Sequence, residues 1–565
     1  MSKVAFRGDL GDLAGALSLA VKGTDNGDGA HAGLYIEVKD PKANESRNVL
    51  DMCGGAAVAC LGNGKTRHTE KVLDAMHEQN KKLSYAAHGF YSSGPARDLA
   101  ARLLQDANEP SVEGSDEELT HVMVLSSGSE INEAAIKLVL QYWNKKAVEA
   151  EEAGKTPEKR DIILSRYSSY HGNTLDALAM SEFPVRREIY ENFLDKEHFK
   201  KVGRFYPYRD QGKMSDDQYD QYLLDQLRDT IEVYKTRVAA FVLEPVSGAA
   251  LGSQLASVKY LQGVKNICNE KGVLLIYDEV MCGIGRTGYI NAWHYYNEKS
   301  KSQFDRTKGF TSVAPDMMTV AKGLGAGITQ VSALLANKKV AEQISGWKRP
   351  KDVVEPDAER EPDIDEFIHG HTYQSHLGAC AAALVVQESI NTDFLLNNIR
   401  ERGEQIGQRL KALAEQHPNV GDVRGRGLFW GVEFIQNKAS GKFFDYDVGA
   451  ALAKFGRTHK KGFCKGLNTD DKVNEAKGTP LTVYPGAWKM VDDVSNLVND
   501  HRERRGARKL TTKEQQTTGS HVIIAPAFYV TEAIVVEMMD KFFELVNEFF
   551  KKDHLTEMVT WKRPS

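Results

Sequence analysis

The chain has 565 residues, 41% of them apolar, enough to bury one large core or two moderate ones. Its 73 Lys and Arg stand against 78 Asp and Glu, a formal charge of -5 that gives no global basic field for nucleic acid, so a small-molecule partner is expected. Six scattered cysteines without a C-x-x-C pair, no H-E-x-x-H spacing, no membrane-length apolar run and no signal-like start predict a reducing, cytoplasmic setting with no metal and no membrane contact.

Along the chain, short apolar runs alternate with helical patterns. "HVMVLSS" precedes "EINEAAIKLVLQYW", "RDIILSRY" precedes "TLDALAMS", and "VAAFVLEP" precedes "VKYLQGVKNICNEKG"; then come "GVLLIYDEV", "DMMTVAKG" and "VSALLAN". The alternation predicts an α/β fold, a mainly parallel sheet flanked by helices. Two polar stretches, 346–367 and roughly 466–520, read as surface insertions, and the basic run "HRERRGARK" in the second reads as a solvated loop because no aromatics interleave it. "TEAIVVEMMDKFFELVNEFFKK" has the apolar spacing of a packed amphipathic helix.

The stretch "GVLLIYDEVMCGIGRTG" contains G-x-G-x-x-G at Gly283, Gly285 and Gly288. A dinucleotide turn would need a packed helix next and an acidic residue at the end of a second strand. Here "YINAWHYYNEKSKSQ" follows without a clean amphipathic pattern, and Asp305 lies in hydrophilic sequence. The glycines are better read as freeing the chain to leave the strand, with Arg286 available to a local carboxylate or backbone. Asp278 instead stands at the C-terminal edge of a buried strand, where open α/β sheets bind ligands and where a carboxylate needs a partner. A pyridinium nitrogen suits it, because a retained negative charge keeps the ring protonated as the electron sink of pyridoxal phosphate (PLP) chemistry. Such a site demands a lysine at another strand end, and "PDMMTVAKGLGAG" offers Lys322. It also demands a phosphate cradle, which "VLSSGSEINEAAIKL" offers at Ser127, Gly128 and Ser129 before a helix with Ile131, Ala134, Ala135 and Leu138 on one side. Taken singly, the lysine also fits a solvated turn, and the serines fit an ordinary helix start with Ser129 as its cap.

"SSGSEINEAAIKL", "SYHGNT", "VLEPVSGAALG", "LLIYDEVMCGIGRTG", "PDMMTVAKGLGAG", "HTYQSHLGA" and "VRGRGLFWGVEF" occur in the order and near the spacing found in one family. The chain resembles the class III aminotransferases, PLP enzymes of fold type I, from about residue 50 to 434 and again at "GSHVIIAPAF". The resemblance implies that Lys322 holds the cofactor as a Schiff base and shuttles the substrate proton, that Asp278 holds the pyridinium proton and that Val280 packs under the ring. Gly128 and Ser129, with Ser127 beside them, would bind the phosphate; Tyr170 would stack on the other ring face. His171 would take part in the site or serve as a plain helix-start histidine. Glu244 would lie near the cofactor oxygen and substrate, while Thr372 would reach the phosphate of a neighbouring subunit, implying a homodimer with shared active sites. Tyr85 and Phe90 are candidate pocket walls, a place that core packing explains equally.

The resemblance further implies a large PLP-binding domain over 69–392. A smaller α+β domain would combine the 1–68 segment with 393–565. The implied reaction moves an amino group from a primary amine or ω-amino acid to a keto acid. Decarboxylation, aminomutation or racemisation on the same scaffold, or PLP binding without turnover, are the alternatives. One departure bears on the acceptor: where many members carry a carboxylate-binding arginine before the "HVIIAP" segment, this chain reads "TPLTVYPGAWKM", with Tyr484 and Pro485 near that place.

Overall fold

A computed structural model describes residues 19–24, 32–40, 45–109, 112–302, 312–345, 366–392, 394–444, 446–458, 481–485 and 520–551. Its central sheet has seven strands in the order Leu119–Leu125, Ser332–Asn337, Met317–Val320, Leu274–Asp278, Val238–Leu243, Ile162–Arg166 and Phe199–Val202. Six are parallel, and Ser332–Asn337 runs against both its neighbours. The strands Val238–Leu243, Leu274–Asp278, Met317–Val320 and Ser332–Asn337 are buried along their whole length, as expected of a sheet covered on both faces. Covering helices include Gly128–Glu152, which buries Ile131, Ala134, Ala135 and Leu138 as the spacing predicts, and Val258–Lys271, which stops at Gly272 in the left-handed region. The expected α/β architecture is therefore observed.

Two four-stranded sheets accompany the central one. In the first, Leu19–Thr24, Tyr35–Asp40 and Glu45–Asp51 pair antiparallel, and Leu481–Thr482 from far along the chain joins Glu45–Asp51 in parallel. The second is antiparallel and runs Val420–Arg426, Phe429–Phe434, His521–Ile524, Tyr484–Pro485. The last helix, Glu532–Phe549, is capped by Thr531 and buries Val535, Met538, Phe542 and Leu545.

Three sequence expectations are corrected. Residues 481–485 fall inside the stretch read as a polar insertion, yet they form two short strands, Leu481–Thr482 and Tyr484–Pro485, in the two small sheets, with Leu481 and the linking Val483 buried. The rest of that stretch up to 519, including "HRERRGARK", lies outside the described residues, as do 346–365. "AWHYYNEKSKS" is a helix despite its weak pattern, since its buried face includes His294, Asn297 and Ser300 beside Trp293 and Tyr296. The helix after "VLSS" is capped by Ser127, whose Oγ accepts from Glu130 N, and Ser129 Oγ instead accepts from Asn173 N.

Two buried charges tie the second small sheet to the central one. Arg286 lies on the glycine turn, with Gly285 and Gly288 at φ of 82° and 87°, and donates to the carbonyls of Pro526 at 2.6 Å and Leu428 at 3.2 Å. Glu433, in Phe429–Phe434, accepts from Arg209 Nε at 2.7 Å, Arg424 Nη1 at 2.7 Å and the Tyr206 hydroxyl. Burial alone would raise the Glu433 carboxyl, but Arg424 and Arg209 outweigh it and hold it below the usual 4.5. A group depressed in this way stabilises the fold above 4.5 and loses that contribution as pH falls through the lower folded value. Glu433→Ala is expected to cost about 3–5 kcal/mol by urea denaturation, as stranded buried arginines do. Glu433→Gln is expected to flatten the acid limb of the stability profile.

Candidate active site

Five parallel strands end on one edge of the sheet, and the residues that follow them converge there. Leu119–Leu125 leads to Ser126 through Ser129, Ile162–Arg166 to Tyr170 and His171, and Val238–Leu243 to Glu244. Leu274–Asp278 ends on Asp278, and Met317–Val320 leads to Lys322. All of these residues line one cavity of about 290 Å³, with Val280 and Met281. The antiparallel strand contributes Thr329, Gln330 and Val331 to it, from the turn before Ser332.

Asp278 is 3% exposed and its carboxylate is held by three donors. Oδ2 accepts from His171 Nδ1 at 2.7 Å and Asn132 Nδ2 at 2.9 Å, and Oδ1 accepts from Val280 N at 3.0 Å. Asn132 Nδ2 also donates to the His171 carbonyl at 2.6 Å, and Asn132 Oδ1 accepts from Thr319 Oγ1 at 2.9 Å. Thr319 faces Asp278 in register on the neighbouring strand. His171 is therefore a buried partner of the carboxylate, and its other nitrogen, Nε2, has no hydrogen-bond partner among the described residues. Sequence reasoning missed Asn132; a polar residue among Ile131, Ala134 and Ala135 on the buried helix face was its signal.

Glu279, next in sequence, goes elsewhere. Its carboxyl oxygens accept from Ala292 N at 2.6 Å and Trp293 N at 2.8 Å, capping the helix Ala292–Ser302. Burial pushes it up to about 8 against those two donors.

Lys322 has φ of 46°, a left-handed conformation that a non-glycine residue adopts at a cost of about 1–3 kcal/mol and that concentrates at functional sites. Burial lowers its ammonium below the usual 10.5, and the nearby charges of Asp278 and Glu244 pull the other way. Glu244 is buried, accepts from Gly248 N at 2.9 Å and Ser247 Oγ at 3.1 Å, and is raised by burial first and by Asp278 as a like charge. A Cβ on Gly128 would stand 2.9 Å from Val280 Cγ1, so the approach of the helix start to the strand-end carboxylate requires glycine there.

Three predicted residues fall elsewhere. Tyr85 and Phe90 do not line the cavity of the single chain; Phe90 is 84% exposed, and Tyr85 packs edge-on against the exposed Tyr373, with ring centroids 6.2 Å apart. Thr372, adjacent to Tyr373, is exposed as well.

A buried carboxylate, a desolvated lysine and a helix start thus border one cavity. The family model "Aminotransferase class-III" matches residues 33–463. An uncharacterised aminotransferase of Schizosaccharomyces pombe is 33% identical over 82% of this chain and 89% of its own. The putrescine–pyruvate aminotransferase of Pseudomonas aeruginosa is 26% identical over 72% of this chain and 77% of its own. The fold is shared with the ω-transaminase of Pseudomonas jessenii in complex with PMP, with a TM-score of 0.70 over 97% of this chain and 96% of that one at 20% identity. The chain belongs to the class III aminotransferases, and its reaction type is amino-group transfer.

Competitive acylation across a pH series is expected to label Lys322 with a midpoint below 10.5. Asp278→Asn removes a charge that favours the ammonium, so the midpoint is expected to move lower still.

Proposed function

We propose that the cavity holds PLP and that the chain moves an amino group from a primary amine or ω-amino acid to a keto acid. The observation that carries the reading is the desolvated Lys322 sharing one cavity with a carboxylate held by His171 and Asn132. The residues fit the cofactor: Asp278 offers its carboxylate to a ring nitrogen, and Ser127, Gly128 and Ser129 offer a hydroxyl-rich helix start to a phosphate. Val280 and Tyr170 supply the two walls between which a flat ring fits. When bound, PLP supplies an aldehyde that takes up the amine and a protonated ring that draws electrons from the adjacent carbon.

The protein's own contribution is proton handling and exclusion of water. Lys322 would hold the group covalently through Nζ, and the same Nζ, as a free neutral amine, would move the donor's proton. Burial favours the neutral amine this step needs. Asp278 would hold the ring nitrogen's proton, and His171 and Asn132 hold Asp278 in place. Glu244 borders the same space as Lys322. The name of the Pseudomonas aeruginosa relative pairs a diamine with a keto acid, which supports a primary amine as donor and a keto acid as acceptor.

The reading extends to a homodimer. Phe90, Tyr91 and Tyr373 are exposed at 84%, 66% and 62%, and Tyr85 touches Tyr373, so an apolar surface runs along the segments that carry Thr372 and the two candidate wall residues. Pairing two chains on this surface would cover it and bring Thr372, Tyr85 and Phe90 to the partner's cavity. The expected solution state is a dimer by sedimentation. Thr372→Ala is expected to weaken PLP binding about 10- to 100-fold, the loss of one hydrogen bond to a charged group.

With PLP added, the purified protein is expected to show the bound cofactor's visible absorption and to lose it on addition of a primary amine. Lys322→Ala is expected to keep its fold and lower turnover by about 10²- to 10⁴-fold or more. Full activity in that variant, or no spectral response to any of a panel of amines, would overturn the reading.

A further inference from the structure

Arg186 is a half-buried cation that neither the fold nor the site above uses. It lies in the short helix Pro184–Arg187, and its guanidinium carbon sits 6.0 Å from the centroid of the Tyr170 ring. Its neighbour Arg187 is consumed by Glu182 at 2.7 Å and Glu191 at 3.0 Å. The Arg186 side chain forms no ion pair or hydrogen bond among the described residues. Phe183 meets Tyr170 edge-on at 5.6 Å and fixes the ring beneath the guanidinium.

A second phenol approaches the same place. Tyr484, on the strand Tyr484–Pro485, is close enough to Tyr170 to oppose its ionisation, as burial does more strongly, while Arg186 favours it. The hydroxyls of Tyr170 and Tyr484 also bond to no described residue. One guanidinium and two phenols, all able to donate, thus gather at a ring that lines the cavity.

The cavity needs such a group. Among its described lining residues the one Lys or Arg is Lys322, and Asp278 and Glu244 are carboxyl groups. Lys322 is committed to the reacting carbon, so a keto acid's carboxylate entering there meets no other described Lys or Arg in the lining. A guanidinium stays charged at every working pH and matches a carboxylate with paired donors.

We propose that Arg186, with the hydroxyls of Tyr170 and Tyr484, binds the carboxylate of the α-keto acid acceptor. The proposal rests on the amino-transfer reading and names the acceptor side of the same site.

The test uses the PLP-loaded enzyme, with an amine donor that has first been shown to remove the visible absorption. Absence of that response in the unaltered enzyme counts against the amino-transfer reading and is scored separately. In Arg186→Leu, the KM for pyruvate is expected to rise about 10- to 100-fold with kcat changed less than about threefold, the loss of a charged hydrogen-bonding pair. Arg186→Lys, which keeps the charge but not the fork, is expected to recover part of that loss, and Tyr484→Phe to raise KM by a smaller factor. Calorimetric binding of propionate, a non-reacting carboxylate of pyruvate's size, is expected to weaken in parallel. Should Arg186→Leu not fold, Arg186→Lys and the propionate titration carry the test. An unchanged pyruvate KM and propionate affinity, or a fall in kcat at constant KM, would overturn the proposal.

Discussion

The arrangement of this site depends on keeping one carboxylate, that of Asp278, buried and paired. A carboxylate in the interior is costly unless donors surround it, and three do. Each donor comes from a different element: the helix Gly128–Glu152 through Asn132, the loop after Ile162–Arg166 through His171, and the strand's own continuation through Val280. Thr319 then ties Asn132 to the strand that leads to Lys322. The elements that present Ser127 to Ser129, Tyr170 and Lys322 are thus located by what Asp278 requires. The strained backbone of Lys322 is tolerable for the same reason, because the structure on either side is already determined.

Arg286 and Glu433 do a different job with the same chemistry. Glu433 is surrounded by Arg209, Arg424 and Tyr206 so completely that no ligand can use it, and Arg424 also donates to the Leu251 carbonyl at 2.9 Å. The result is a fixed seam between the second small sheet and the segments around the central sheet's ligand edge. Tyr484 hangs from that same small sheet, opposite Ile523. The same sheet thus carries a phenol whose field reaches Tyr170, although the two belong to elements more than three hundred residues apart in sequence.

What was legible in the sequence follows from the range of the forces involved. Period and burial are local properties, so the strands around "VAAFVLEP" and "GVLLIYDEV" and the helix after "VLSS" could be read directly, and with them Asp278, Lys322 and the helix start. Partnerships across the sheet edge were not local. Asn132 was passed over because helical periodicity explained its neighbours, and His171 stayed ambiguous because its partner lies 107 residues on. The helix Ala292–Ser302 was missed because hydrogen-bonded polar residues such as Asn297 fill part of its buried face, and its N-terminal cap, Glu279, comes from the preceding strand end. Tyr85, Phe90 and Thr372 were placed by resemblance alone, and the single chain leaves them on its surface.

The adjacent pair Asp278 and Glu279 shows how a strand end sorts two carboxyl groups that the sequence presents together. Successive side chains on an extended segment point to opposite sides, so the two cannot serve one ligand. Glu279 turns to the N-H groups of Ala292 and Trp293, and burial pushes it up to about 8, which favours its protonated form at neutral pH. The negative charge that the strand end offers to the cavity is then that of Asp278. Turning Glu279 into a helix cap therefore does more than stabilise a helix: it turns that carboxyl away from the cavity that Asp278 and Glu244 line.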